Sequence, residues 1–118
     1  MGKQFDSNNL VTGVVTGTGA AINVSVGFIP RRVKVYNPND AGALYPIIEW
    51  VKGMAAGKGF KYTKIADSGA TGGLSSTYIA ANGISEYAGS SSAAQGFTIG
   101  ADADMNAVGE DIIFEAWR

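Results

Sequence analysis

The chain of 118 residues carries nine Lys plus Arg against ten Asp plus Glu, no Cys, no His and 17 Gly, with 46% hydrophobic and 16% charged residues. Such a length suits one domain with a core of its own. The missing Cys and His exclude disulfides, thiolate nucleophiles, zinc ribbons and imidazole acid–base chemistry. A net charge of −1 with a pI near 5.2 lacks the basic excess that nucleic-acid binding requires.

The charge is divided unevenly. Residues 1–64 sum to +5 and residues 65–118 to −6. Either the split gives one molecule two opposite faces, which favours side-by-side copies, or folding scatters it, which is the plainer reading. The start, Met-Gly-Lys-Gln-Phe-Asp, lacks the apolar run of a secretory signal, so folding in a cytoplasm is expected. Residues 7–29 are uncharged, but Asn8, Asn9, Thr12, Thr16, Thr18, Asn23 and Ser25 make them too polar to cross a bilayer.

In chain order, residues 1–9 have little periodicity and are assigned to an N-terminal arm, and residues 10–118 to the domain. Residues 10–16 are rich in Val and Thr. In residues 21–28, Ile22, Val24, Val26 and Phe28 alternate with Asn23, Ser25 and Gly27. Both segments predict strands, and the Gly17-Thr18-Gly19 break between them predicts that they pair antiparallel, as a hairpin or across a bulge. Ile29-Pro30 interrupts the ladder, and residues 32–37 resume it with Val33 and Val35 in phase.

Residues 37–42 stack turn formers. Residues 47–52 and 60–66 alternate as strands, and residues 67–73 turn to Ser, Gly, Ala and Thr, a loop composition. Asn82-Gly83, between residues 77–81 and 84–87, predicts a tight hairpin. After a second small-residue loop, residues 95–100 and 109–118 supply the final strands, the latter alternating Ile112, Phe114 and Ala116 against Ile113, Glu115 and Trp117. Eight or nine short strands without a three-turn amphipathic helix predict an all-β, single-domain antiparallel β-sandwich, jelly-roll-like. Its expected core is Ile22, Val24, Val26, Val33, Val35, Ile112 and Phe114.

Few groups invite chemistry. Asp102-Ala103-Asp104 begins like a calcium loop, but Ala107 and Ile113 stand where an EF-hand needs Gly and Glu, so a solvated loop is expected. Glu49 beside Trp50 could serve as a general acid if buried, although strand alternation sets it outward. Gly17-Thr18-Gly19 lacks the third glycine of a dinucleotide fingerprint. Lys58, Lys61 and Lys64, interleaved with Phe60 and Tyr62, form a basic strip only one strand wide, too narrow for a single-stranded nucleic acid. No catalytic residue, metal ligand or cofactor is assigned.

Three segments carry a resemblance: Gly27-Phe28-Ile29-Pro30-Arg31-Arg32-Val33-Lys34-Val35-Tyr36-Asn37, then Glu49-Trp50-Val51-Lys52-Gly53-Met54, then Gly96-Phe97-Thr98-Ile99-Gly100 leading to Asn106-Ala107-Val108-Gly109-Glu110. Together with the Ala116-Trp117-Arg118 ending, these look like the head decoration, or cement, proteins of tailed bacteriophages. The resemblance implies a non-enzymatic virion protein on the outer capsid surface that bridges neighbouring major capsid subunits. It also implies a small homo-oligomer, a trimer ahead of a dimer, with no membrane or nucleic-acid partner.

Two candidate contact regions follow. In the arm they are Phe5, Asp6, Asn8 and Asn9, the alternative being a frayed terminus; at the strand corner they are Phe28, Arg31 and Arg32, the alternative being merely exposed charge. Rival readings are a tail or fibre adhesin and a small carbohydrate-binding module with Tyr45, Trp50, Tyr78 and Tyr87 as platforms. Deleting residues 2–9 is expected to leave the fold intact and to lower occupancy on capsids, measured by protein content of purified particles; unchanged occupancy would rule the arm out as a contact.

Overall fold

The computed structural model describes residues 4–6, 9–65 and 73–118, with backbone only for Gln4–Asp6 and Ile65. Nine strands succeed one another: β1 Gln4–Asp6, β2 Leu10–Thr16, β3 Ile22–Ser25, β4 Arg32–Tyr36, β5 Ile47–Val51, β6 Lys58–Ile65, β7 Gly73–Tyr87, β8 Gly96–Ile99 and β9 Asp111–Trp117. They form one sheet in the order β1-β2-β9-β4-β5-β6-β7-β8-β3, with every neighbouring pair antiparallel. The chain is all-β and a single domain, as its period-two alternation requires.

The two layers are the two ends of this one sheet, curled over a shared core. Phe97 of β8 meets Phe114 of β9 with ring centroids 5.5 Å apart and planes at 65°, an edge-to-face contact across the interior. Each of these fully buried rings contributes on the order of 1.5–3 kcal/mol. Of the expected core, Val24, Val26, Val33, Val35, Ile112 and Phe114 are buried, while Ile22 is partly buried and packs at the margin. Met105, in the loop before β9, is fully buried as well.

The expected pairing of residues 10–16 with residues 21–28 does not occur. β2 pairs with β1 and β9, and β3 pairs with β8 on the opposite flank. The reason lies at Gly17-Thr18-Gly19, which residues 106–110 capture: Gly17 N donates to Glu110 O at 2.8 Å, Gly109 N to Gly17 O at 3.0 Å and Gly19 N to Asn106 O at 3.1 Å. A Cβ on Gly17 would lie 2.1 Å from Ala107 O, so only glycine permits the approach. The segment carries the chain from one layer to the other.

Asn82-Gly83 is likewise not a hairpin turn. β7 runs through it, pairing with β6 up to Ile79 and with β8 from Ile84. Gly59 opposes Ile79 while Lys58 opposes Ile84, so the intervening residues bulge out. Asn82 takes a left-handed φ of 64°, and a Cβ on Gly83 would lie 2.2 Å from Lys58 O. The dipeptide bends one long strand between layers, because flanking ladders on two different partners outweigh its local turn preference.

Part of the N-terminal arm is a strand of the isolated chain: Gln4–Asp6 pairs with Val11–Gly13 of β2. Asn8 lies outside the described residues. Asn9 is exposed, and its carbonyl accepts from Arg118 N at 2.8 Å.

Buried Asn106 holds the crossing together. Its Nδ2 donates to Ala20 O at 2.7 Å and Gly100 O at 3.0 Å, and its Oδ1 accepts from Thr18 N at 2.9 Å. Asn106→Ala orphans these groups and is expected to cost about 2–4 kcal/mol, read as a lower midpoint in urea denaturation.

Candidate interaction surface

Strand alternation that buries one face of β2, β9, β4 and β5 presents the other to solvent, and the registers carry that outward face on across β6 and the first part of β7 in cross-strand rows. The central row is Thr12, Glu115, Lys34, Glu49, Phe60 and Tyr78. On one side runs Leu10, Trp117, Arg32 and Val51, and on the other Val14, Ile113, Tyr36, Ile47, Tyr62 and Ser76. Charges of alternating sign are thus flanked by aromatic and aliphatic side chains. Val51, Phe60, Ile113 and Tyr78 are 38–50% exposed.

The charged groups are held in place by their neighbours. Arg32 pairs with Glu49 and lies over the Trp117 ring at 5.1 Å, and Lys34 lies over Tyr36 at 5.4 Å. Exposed as it is, the Arg32–Glu49 pair contributes only about 0–1 kcal/mol to stability; its effect is to fix the guanidinium beside the indole. Tyr36 Oη donates to Glu115 Oε1 at 2.5 Å. Burial, then this hydrogen bond and the charge of Glu115, push the Tyr36 phenol up to about 12. Tyr, Trp and Arg in preset positions lose little freedom on contact, which is what an interface anchor requires.

A cleft of about 160 Å³ lies beside this face, lined by Tyr36, Asn37, Pro38, Tyr45, Pro46 and Ile47. Ala43 and Tyr45 adopt left-handed φ values of 59° and 46°, conformations costly for non-glycine residues. The Asp40 carboxylate holds them there, accepting from Gly42 N at 2.9 Å and Leu44 N at 3.0 Å. Asn37 ties this loop to the next: its Nδ2 donates to Asp104 O, Met105 O and Glu110 Oε1 at 2.8–3.1 Å.

The acidic segment 102–104 is not the solvated loop expected. Lys61 Nζ donates to both Asp102 oxygens at 2.9 and 3.0 Å and to Asp104 Oδ2 at 2.7 Å. Burial works against the Lys61 charge, but hydrogen bonds and attraction from Asp104 and Asp102 outweigh it and hold the ammonium above its usual range. An ammonium therefore sits against the oxygens that a calcium loop would turn toward its ion. Lys61 also faces away from Lys64, which divides the basic strip. With Lys52 paired to Glu86 at 3.6 Å, two basic residues of the first half, Lys52 and Lys61, meet acidic residues of the second within the chain.

The sequence-derived contact residues fare unevenly. Arg31 and Arg32 are exposed at the corner, where Arg31 N donates to Trp117 O at 2.8 Å. Phe28 is only 8% exposed and lies beneath the Arg118 guanidinium at 4.6 Å, so it belongs to the core. Phe5 and Asp6 lie in β1, paired through their backbones. Glu49 faces outward on Arg32. Trp50, at 2% exposure, is no platform; with Met54, Ala56 and Glu86 it lines a cavity of about 260 Å³, roomy enough for water to reach its unpartnered Nε1. The anchors missed in sequence, Tyr36, Trp117 and Glu115, all stand on the outward phase of predicted strands, but only the registers join them.

No family model, curated protein or solved structure matches the chain. No helix among the described residues is long and apolar enough to cross a membrane.

Because the Tyr36 phenol is raised in the fold, its contribution to stability is fully present below pH 10 and is lost as pH rises toward 12. Absorbance titration at alkaline pH is expected to show a tyrosine phase near pH 12. Tyr36→Phe abolishes that phase and Glu115→Gln moves it toward pH 10.

Proposed function

We propose that the protein is a structural virion component that decorates an icosahedral phage capsid and stabilises it by bridging neighbouring major capsid subunits. The observation that supports this reading is the outward sheet face, six strands wide, whose pre-positioned Arg, Trp and Tyr side chains alternate with exposed aliphatic ones. Such a surface suits a broad, shallow contact repeated on identical neighbours, in contrast to the concave pocket that a small substrate requires. The resemblance of residues 27–37, 49–54 and 96–110 to head decoration proteins points to the same role.

The cleft between Tyr36 and Tyr45 favours a second reading, a small carbohydrate-binding module, because exposed aromatic walls can stack on sugar rings. Glycan-array binding that depends on Tyr45 would support it.

The test of the first reading adds purified protein to particles that lack it. Cryo-electron microscopy is expected to show density repeated over the whole shell, and decorated particles are expected to resist heating better than bare ones. Ile113→Asp, on the outward face, should weaken attachment by about tenfold or more at a temperature where the variant remains folded by circular dichroism. Density confined to the tail would replace the cement role with that of an adhesin.

A further inference from the structure

Among the described residues, the first part of β7 is bonded on one side only. Its ladder to β6 covers Gly73–Ile79, its ladder to β8 begins at Ile84, and among the described residues nothing pairs with the remaining edge between them. Not one residue from 73 to 82 is buried. Sheet edges in natural proteins are protected by Lys, Pro, inward charges, bulges, a covering helix or loop, or extreme shortness, and the bulge of β7 begins only after Ile79. Residues 73–85 contain no Lys, Arg, Asp, Glu or Pro. The sheet's two outermost strands differ: β1 has three residues and β3 has four, too few to template a ladder of any length.

We infer that the free edge of β7 is a self-association surface, on which a second copy of this chain lays its own β7 antiparallel about a two-fold axis. Charge favours this occupant. The edge is neutral on both copies, and the lysine-bearing β6 strands of the two copies would stand three strand spacings apart, roughly 14 Å, beyond the screening length at physiological salt. Pairing also respects the period of two: because backbone donors and side chains both alternate along a strand, only registers that match like faces can bond. In every such register Leu74, Ser76 and Tyr78 of both copies share one face. Leu74 is 67% exposed, and Tyr78 stacks on Phe60 at 5.1 Å between centroids. The two outward faces then join into one continuous surface.

This deepens the self-association within the proposed function and favours a pair over the trimer that the resemblance implies. An isologous edge is saturated by one partner and closes at two, whereas a ring of three would have to join β7 to the short β1 or β3.

The isolated protein tests it. Sedimentation equilibrium is expected to show a monomer–dimer equilibrium that Ser76→Lys shifts at least tenfold toward monomer, with the melting temperature of the dilute monomer unchanged. Because the chain has no Cys, single cysteines placed in turn at Leu74 through Ala80 each report one position. Disulfide dimers should form most readily at residues 76–78, near the axis, and not with Asn23→Cys on β3. Monomer at all concentrations, a trimer, or preferential cross-linking of Asn23→Cys to Thr77→Cys in a mixture overturns the inference. The cysteine scan decides even if Ser76→Lys unfolds. Failure here leaves the capsid reading standing, since that reading is measured by occupancy on particles.

Discussion

The fold depends on backbone meeting backbone where one sheet doubles over its own core. At Gly17 and at Gly83 a carbonyl occupies the space that any Cβ would need. Between these points the sheet changes layer, and Asn106 fastens the first crossing by serving both its donors and its acceptors. A side chain at Gly17 would push the connection after β2 off residues 106–110, and one at Gly83 would push β7 off β6 at the bulge. The abundance of glycine is therefore partly a requirement for closure as well as for turns.

The loops follow from the same closure. Residues 37–46 and 100–110 are bound by buried and partly buried polar groups: Asn37 to Glu110, Lys61 to Asp102 and Asp104, Asp40 to its own turn. Satisfied polar networks of this kind select one loop arrangement, because leaving any partner out strands a buried donor or charge. Lys61 and the carboxylates of Asp40, Asp102, Asp104 and Glu110 are engaged there. What remains on the outward face is organised by aromatic neighbours, so that Arg32 and Lys34 are presented as positioned groups.

Strand identity was legible because alternation at Ile22–Phe28, Val33–Val35 and Ile112–Ala116 reports burial directly, whatever the partner. Pairing was not. Gly17-Thr18-Gly19 and Asn82-Gly83 carry the local chemistry of turns, and each is overruled by contacts distant in sequence, the first by residues 106–110 and the second by β6 and β8. The interaction face shares this limit. Tyr36 and Glu115, 79 residues apart, become neighbours only through the β4–β9 register. Phe28 shows the converse: its phase in the strand pattern is correct, but nothing local reveals that Arg118 covers it.

The central place of β9, between β2 and β4, governs how the protein folds. It joins residues 111–117 both to residues 10–16 and to residues 32–36, so no early hairpin can seal this layer. The hydrophobic strands β2 and β4 must wait, unpaired with each other, until a segment far along the chain inserts between them. Loop closure over such separations places folding among the slow, millisecond-to-second class. During that interval the exposed strands are the species most open to misassembly with other chains.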